Sequence, residues 1–477
     1  MADVGGDFGA TRDAIGHTPV AAPAQSFTES ARVDNSPFPP QFSSSDRRLT
    51  VAAKFEQVLA ISSVWAGLSF VIAQKWISDL SAIVGAPIAY IAIFAIAIFP
   101  GFMNAFTVVG LLIDNRPRRA VPATFPGISI LIAAYNEQDT ILSTLESIDK
   151  QNYRGPFEVI VIDDGSKDGT VEKLQSISYP WLRVIVMPTN GGKAKALNAG
   201  LEQVRFALTI TIDADSYLYR NALSHLVGRL LGDPENTVAV AGSVLVRNSR
   251  FNLITKMQEW DYFHGIAAIK RLQSLFQGTL VAQGAFSIYR TGILRQLGGW
   301  PECVGEDIVL TWRMLERGYR VGYCEDGFAF TNAPTTLKQF IRQRQRWSRG
   351  LIEAFRAHSK LLFRRRMSTV FIWWNLFFPV MDLVYTFVYI PGIILAFFGY
   401  YWIAGPMTLL VLPLAFIVNC VMFFIQSREF ALEGLKVRRN IIGLFVYTLL
   451  YGIILQPACV WGYLSELGGF RKSWGTK

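Results

Sequence analysis

Residues 128–166 read ISILIAAYNEQDTILSTLESIDKQNYRGPFEVIVIDDGS, and this stretch decides the fold. Ile128–Ile132 and Phe157–Ile162 are β-branched runs of strand length, and Thr140–Gln151 between them places apolar residues at helical spacing. A helix-like Thr170–Ile177 leads to a third run, Leu182–Val186, and Ala207–Ile212 adds a fourth. Strands alternating with amphipathic helices pair in parallel, so 122–332 is predicted to be an α/β domain with a mixed, mainly parallel sheet.

In such sheets ligands bind beyond the carboxyl ends of the strands, which makes the residues just after each run the ones to inspect. Tyr135, Asn136 and Glu137 follow the first run, Asp163-Asp164-Gly165-Ser166 the second, and Asp213-Ala214-Asp215 the fourth. Asp and Gly also serve as ordinary turn and cap residues. Two carboxylates on one side of an extended segment, however, suit Mg²⁺ or Mn²⁺, which bridges carboxylates to substrate phosphates. Neither GxxxxGK[ST] nor a GxGxxG after the first run is present, which leaves metal-bound carboxylates as the means of holding phosphates. Further on, Gly305-Glu306-Asp307 precedes an apolar helical pattern. Its carboxylates either complement a helix dipole or include a general base for a hydroxyl nucleophile. Gln343-Arg-Gln-Arg-Trp347 follows the amphipathic Leu337–Ile341 and reads, by itself, as a basic interfacial helix.

Outside this domain the chain is apolar: of 477 residues 51% are hydrophobic, and the mean hydropathy is +0.29. A bilayer core of about 30 Å needs roughly 20 apolar residues to cross it as a helix. Val58–Ala73, Ile83–Ile113, Val370–Phe398, Met407–Phe424 and Ile441–Tyr463 make about five spans. The predicted organisation is a disordered cytosolic tail (1–50, with no signal-peptide pattern), two membrane helices (51–114), the α/β domain (115–335), amphipathic interface helices (336–368), about three membrane helices (369–465) and a tail (466–477). The net charge of +10 does not imply a nucleic-acid partner, because Arg116, Arg118, Arg119, Arg364–Arg366, Arg438 and Arg439 flank the spans. Positive-inside placement puts the α/β domain in the cytosol of a multi-pass protein of a bacterial inner (plasma) membrane. Arg471, Lys472 and Lys477 then fall on the opposite side, against the rule.

In order along the chain, AYNE, DDGS, GGKAKALN, DAD, GED and QRQRW resemble the motif series of the processive family 2 glycosyltransferases, such as cellulose, hyaluronan and poly-N-acetylglucosamine synthases. The likeness covers Ile128–Gly350 with the flanking spans and implies a GT-A fold. It implies that Tyr135 stacks on uracil and Asp164 bonds its edge, with Glu137 and Asp163 in support, and that Lys193 contacts the nucleotide or its phosphates. It assigns Asp213 and Asp215 to UDP and its Mg²⁺ or Mn²⁺, and Asp307, with Glu306 beside it, to the catalytic base. Gln343 and Arg346 would hold acceptor or diphosphate, Trp347 would stack under the acceptor sugar, and Gln283 and Phe286 would belong to the acceptor loop.

The activity implied is inverting, processive transfer of a hexose or N-acetylhexosamine from a UDP-sugar to a glycan acceptor. The β-linked product would be secreted through the lipid bilayer. GEDIVLTW lies nearer to the TEDxxLTW of poly-N-acetylglucosamine synthases, which puts UDP-GlcNAc first and UDP-glucose second. Asp382, Tyr385 and Tyr389 share one face of the third span, as a glycan channel or as an aromatic belt. A separate export or regulatory subunit is expected. Two alternatives stay open: a non-processive transferase that makes glycolipid, and a nucleotide-binding transporter or receptor.

Overall fold

The computed structural model describes residues 49–115, 122 and 124–470. The expected tail up to Arg48, together with Arg116, Arg118, Arg119, Arg471, Lys472 and Lys477, lies outside them.

Among the described residues, eight strands form one sheet in the order β3-β2-β1-β4-β7-β6-β8-β5. The strands are β1 (Ile128–Ala134), β2 (Phe157–Asp163), β3 (Leu182–Val186), β4 (Leu208–Ile212), β5 (Tyr217–Leu218), β6 (Thr237–Val246), β7 (Phe286–Arg290) and β8 (Arg320–Thr331). The first four pair in parallel, β6 also runs parallel to β8, and β7 lies antiparallel between β4 and β6. Helices cover both faces of the centre. β1, β2 and β4 are therefore buried along nearly their whole length. Register sets the site: Ala134 is level with Asp163, and Ile212 is level with Phe286, so the segments following β1, β2 and β4 and the loop preceding β7 meet at one edge.

Five helices among the described residues are long and apolar enough to cross a membrane: Val51–Ile72, Ala86–Leu112, Thr369–Phe397, Val411–Leu432 and Ile441–Leu467. Their ends depart from the apolar runs for identifiable reasons. Thr50 caps the first, accepting from the Ala53 N–H at 3.2 Å, and Lys54 inside it reaches the Asn115 carbonyl at 3.3 Å, so the helix starts before Val58. Gly85, at φ +84, divides the run expected over Ile83–Ile113: Ile83 and Val84 end a separate helix, Gln74–Val84. The helix beginning at Pro406 continues past Phe424 to Leu432, and its Glu429 pairs with Arg271 at 3.0 Å. The last helix enters the stretch expected as a tail, because Glu466 holds Arg349 and Arg356, each at 3.2 Å.

Helix Leu337–His358 joins the two halves. It packs along the fifth span so closely that a Cβ on Gly462 would meet Ser348 Oγ at 1.9 Å. It also crosses the start of helix Glu306–Glu316, where Gly350 and Gly305 touch backbone to backbone, and the Gly305 N–H donates to Glu353 Oε2 at 2.8 Å.

Candidate active site

Tyr135 follows β1 with its ring 41% exposed at the strand edge. Asn136 turns the chain at φ 57, a left-handed conformation that Asn tolerates, and its side-chain oxygen accepts from the Lys167 N–H at 2.8 Å. Beyond β2, Asp163 is fully buried and accepts from the Ser166 N–H at 3.0 Å. Asp164 receives the N–H groups of Gly191 and Gly192, both at 2.8 Å. Asp164 thus clasps the loop that starts helix Lys193–Gln203, and Lys193 reaches across to Asp213. A Cβ on Gly284 would stand 2.6 Å from Lys193 Nζ, so that glycine leaves the passage open.

Asp213 is tied to the loop before β7, its N–H donating to the Ala285 carbonyl at 3.3 Å. Asp215 accepts from Thr331 Oγ1 at 3.0 Å. Burial, reinforced by the charges of Asp213 and Glu137, pushes Asp215 up to about 7. Three hard oxygen donors from two strand ends, whose crowding disfavours the ionisation of Asp215, fit a divalent cation, which would remove that repulsion. Burial opposes the charge on Lys193, yet Asp213, Glu306 and Asp307 around it raise it to about 12. Elsewhere His225, Asp326 and Glu433 place ligand atoms within 4.8 Å of one another, but His225 Nδ1 is 2.9 Å from the Asp326 carbonyl and so carries a proton.

Glu306 and Asp307 open their helix in different settings. Glu306 is buried and faces Lys193 and Arg346; burial, then Asp307, pushes it up to about 7. Asp307 is half-buried and accepts from the Ile308 N–H at 2.7 Å. On the crossing helix, Gln343 is buried with its Oε1 unpartnered and faces Tyr262, while Trp347 is 39% exposed. The Arg344 guanidinium lies 4.1 Å from the centre of the Trp347 ring and pairs with Asp261 at 2.8 Å, and the Tyr262 ring lies 6.4 Å from the same indole.

Phe286 corrects an expectation. Opposite Ile212 in the sheet it is fully buried, its ring filling the place of a Cβ on Gly242, and it cannot touch a glycan. Gln283, three residues earlier, is half-buried and donates to the Gly242 carbonyl at 2.7 Å. In the spans, Asp382 accepts from the Tyr463 hydroxyl at 2.8 Å, and the Tyr385 and Tyr389 rings lie 4.6 Å apart. Sequence reading missed Tyr262, whose hydroxyl burial pushes up to about 12, and the Arg344–Asp261 pair. It also missed Lys270, which bonds Gln283 and which burial lowers to about 7, Asp307 partly offsetting that. The one signal available for Lys270 was a cation pair, Lys270-Arg271, within an otherwise apolar helical pattern.

The profile described as glycosyl transferase family 2 matches residues 129–298. A poly-β-1,6-N-acetyl-D-glucosamine synthase of Staphylococcus aureus (strain MSSA476) is 31% identical over 265 residues, 53% of this chain and 63% of the relative. The synthase of the same description from Staphylococcus epidermidis is 29% identical over 264 residues, again 53% and 63%. The match thus spans less than two thirds of those relatives' length. Among solved structures, the mannosyltransferase PcManGT from Pyrobaculum calidifontis, in complex with GDP-Man and Mn²⁺, superposes at a TM-score of 0.47 with 16% identity, covering 88% of this chain and 99% of that one. Residues 129–298 are thus similar to glycosyl transferase family 2.

Proposed function

We propose that this protein is an inverting, processive transferase that moves N-acetylglucosamine from UDP-GlcNAc to a growing β-linked polysaccharide and passes the product through the membrane. The observation that carries the reading is one juxtaposition. The carboxylates of Glu137, Asp213 and Asp215 and the half-buried Asp307 share a sheet edge, and the helix bearing Trp347 is locked against the helix bearing Asp307. The naming of the curated relatives as poly-β-1,6-N-acetyl-D-glucosamine synthases supports this donor over UDP-glucose.

The residues divide the work by position. Tyr135 offers a face to uracil, and the remaining lone pairs of Asp164 accept from its edge. Asp213 and Asp215, with Glu137 beside them, would hold Mg²⁺ or Mn²⁺, which neutralises charge on the diphosphate leaving group. Lys193 and Arg346 bring positive charge to the same place. Trp347, 39% exposed, supports the acceptor sugar, and Gln343 has an unused acceptor for a glycan hydroxyl. Asp307 takes the proton of the attacking hydroxyl. That oxygen bonds to C1 from the face opposite the diphosphate, and the C1–O bond breaks with its electrons on UDP, so an α-linked donor gives a β linkage.

The arginine clusters beside the spans support a cytosolic catalytic domain in a bacterial inner membrane. Asp382 and Tyr385 face the fifth span, at Tyr463 and Gly452, which supports a path for the polymer between those helices and past Tyr389. Asp307→Asn tests the reading: it keeps the shape but loses the base, and UDP release should fall about 10²–10⁴-fold with UDP binding retained. UDP release within a few-fold of wild type in that variant would remove Asp307 from the mechanism.

A further inference from the structure

We propose that Lys270 is a second acceptor-site residue, donating a hydrogen bond to the glycan oxygen from which Asp307 takes the proton; this rests on the transferase reading above. Lys270 sits on the short helix Ile269–Leu275 and is only 8% exposed. Its neighbour Arg271 is paired in the ordinary way, with Asp114 at 2.7 Å and Glu429 at 3.0 Å. Lys270 differs: among the described residues its hydrogen-bond partner is the side-chain oxygen of Gln283, and the carboxylate acting on its charge is Asp307. An ammonium has three donors, and leaving two unmade in a buried site costs free energy that a bound polar ligand would recover.

The frame around it points at the base. Gln283 presents its oxygen to Lys270 because its amide nitrogen is spent on the Gly242 carbonyl at 2.7 Å. The same loop is fastened to the helix of Asp307: the Ala282 N–H donates to Thr311 Oγ1 at 2.9 Å, and that hydroxyl donates to the Asp307 carbonyl at 2.7 Å. Ammonium, amide and carboxylate are thus held in one frame by Thr311. A saccharide hydroxyl lying between Lys270 and Asp307 accepts from the first and donates to the second, which orients it and makes it more acidic. In the transfer its proton goes to Asp307, its electron pair forms the bond to C1, and the electrons of the broken C1–O bond leave on UDP. Lys270 stays protonated throughout.

The test measures, for the purified full-length protein with UDP-GlcNAc and Mn²⁺, polymer formed and free sugar released by water. In Lys270→Met polymer formation should fall about 10²-fold, while hydrolysis and the donor KM stay within about twofold, and Lys270→Arg should recover part of the loss. Polymer formation within about threefold of wild type in Lys270→Met overturns the proposal. So does a loss of hydrolysis and donor binding in proportion to polymer, the mark of a purely structural role. Should Lys270→Met not fold, Gln283→Leu is to show the same selective loss of polymer, and an equal loss of both activities there overturns it. No turnover by wild type with any UDP-sugar would sink the transferase reading itself, whereas turnover with an indifferent Lys270→Met sinks this inference alone.

Discussion

Asp215 and Glu306 are carboxylates that burial and like-charged neighbours hold near 7, in place of the usual range near 4. Their folded values lie above the unfolded ones. Each therefore contributes stability that is full below about pH 4 and is lost as the pH rises through about 7. Without divalent cation, the melting temperature should fall between pH 5 and pH 7, Asp215→Asn should flatten that fall, and Mn²⁺ should restore stability at pH 7. A slope unchanged by Asp215→Asn contradicts the assignment. Asp213, Asp215 and Asp307 were legible because each stands directly after a β-run or before a helical pattern. Lys270 and Tyr262 were not. Their proximity to Asp307 and Gln343 exists only once segments tens of residues away have packed, and a buried lysine has no local signature beyond the polarity it interrupts.

At the scale of elements, the crossing of helices Glu306–Glu316 and Leu337–His358 couples Asp307 to Trp347. Gly350 permits it: a Cβ there would stand 2.8 Å from the Gly305 Cα, backbone that cannot swing aside. Gly350→Ala should cost about 1–3 kcal/mol through overpacking and lower transfer more than UDP binding, as read by thermal melts and by UDP binding beside UDP release. Full activity in that variant would show the crossing to be looser than described. Strands β1 to β4 were legible to within two residues, since apolar β-branched runs bounded by Asp, Gly and Pro admit few other readings, whereas β5 to β8 were not read from the sequence. The membrane helices were legible as apolar runs, but their ends were not. Gly85 breaks one run through a backbone conformation, and Glu429 and Glu466 extend two others through ion pairs with Arg271, Arg349 and Arg356, remote in sequence.

At the scale of the molecule, the α/β domain stands between helices long and apolar enough to cross a membrane, joined to the fifth by the helix that carries Trp347. That helix packs against Gly462 of the span that lines the proposed polymer path, so synthesis and export share one structural joint. The measurement that tests this account most directly is the product made by the purified protein in lipid nanodiscs from radiolabelled UDP-GlcNAc with Mn²⁺, sized on a gel and digested with a β-N-acetylglucosaminidase. A long polymer that the enzyme degrades, absent when UDP-glucose replaces the donor, is the predicted result. A single sugar attached to lipid, or a polymer made only from UDP-glucose, would contradict it.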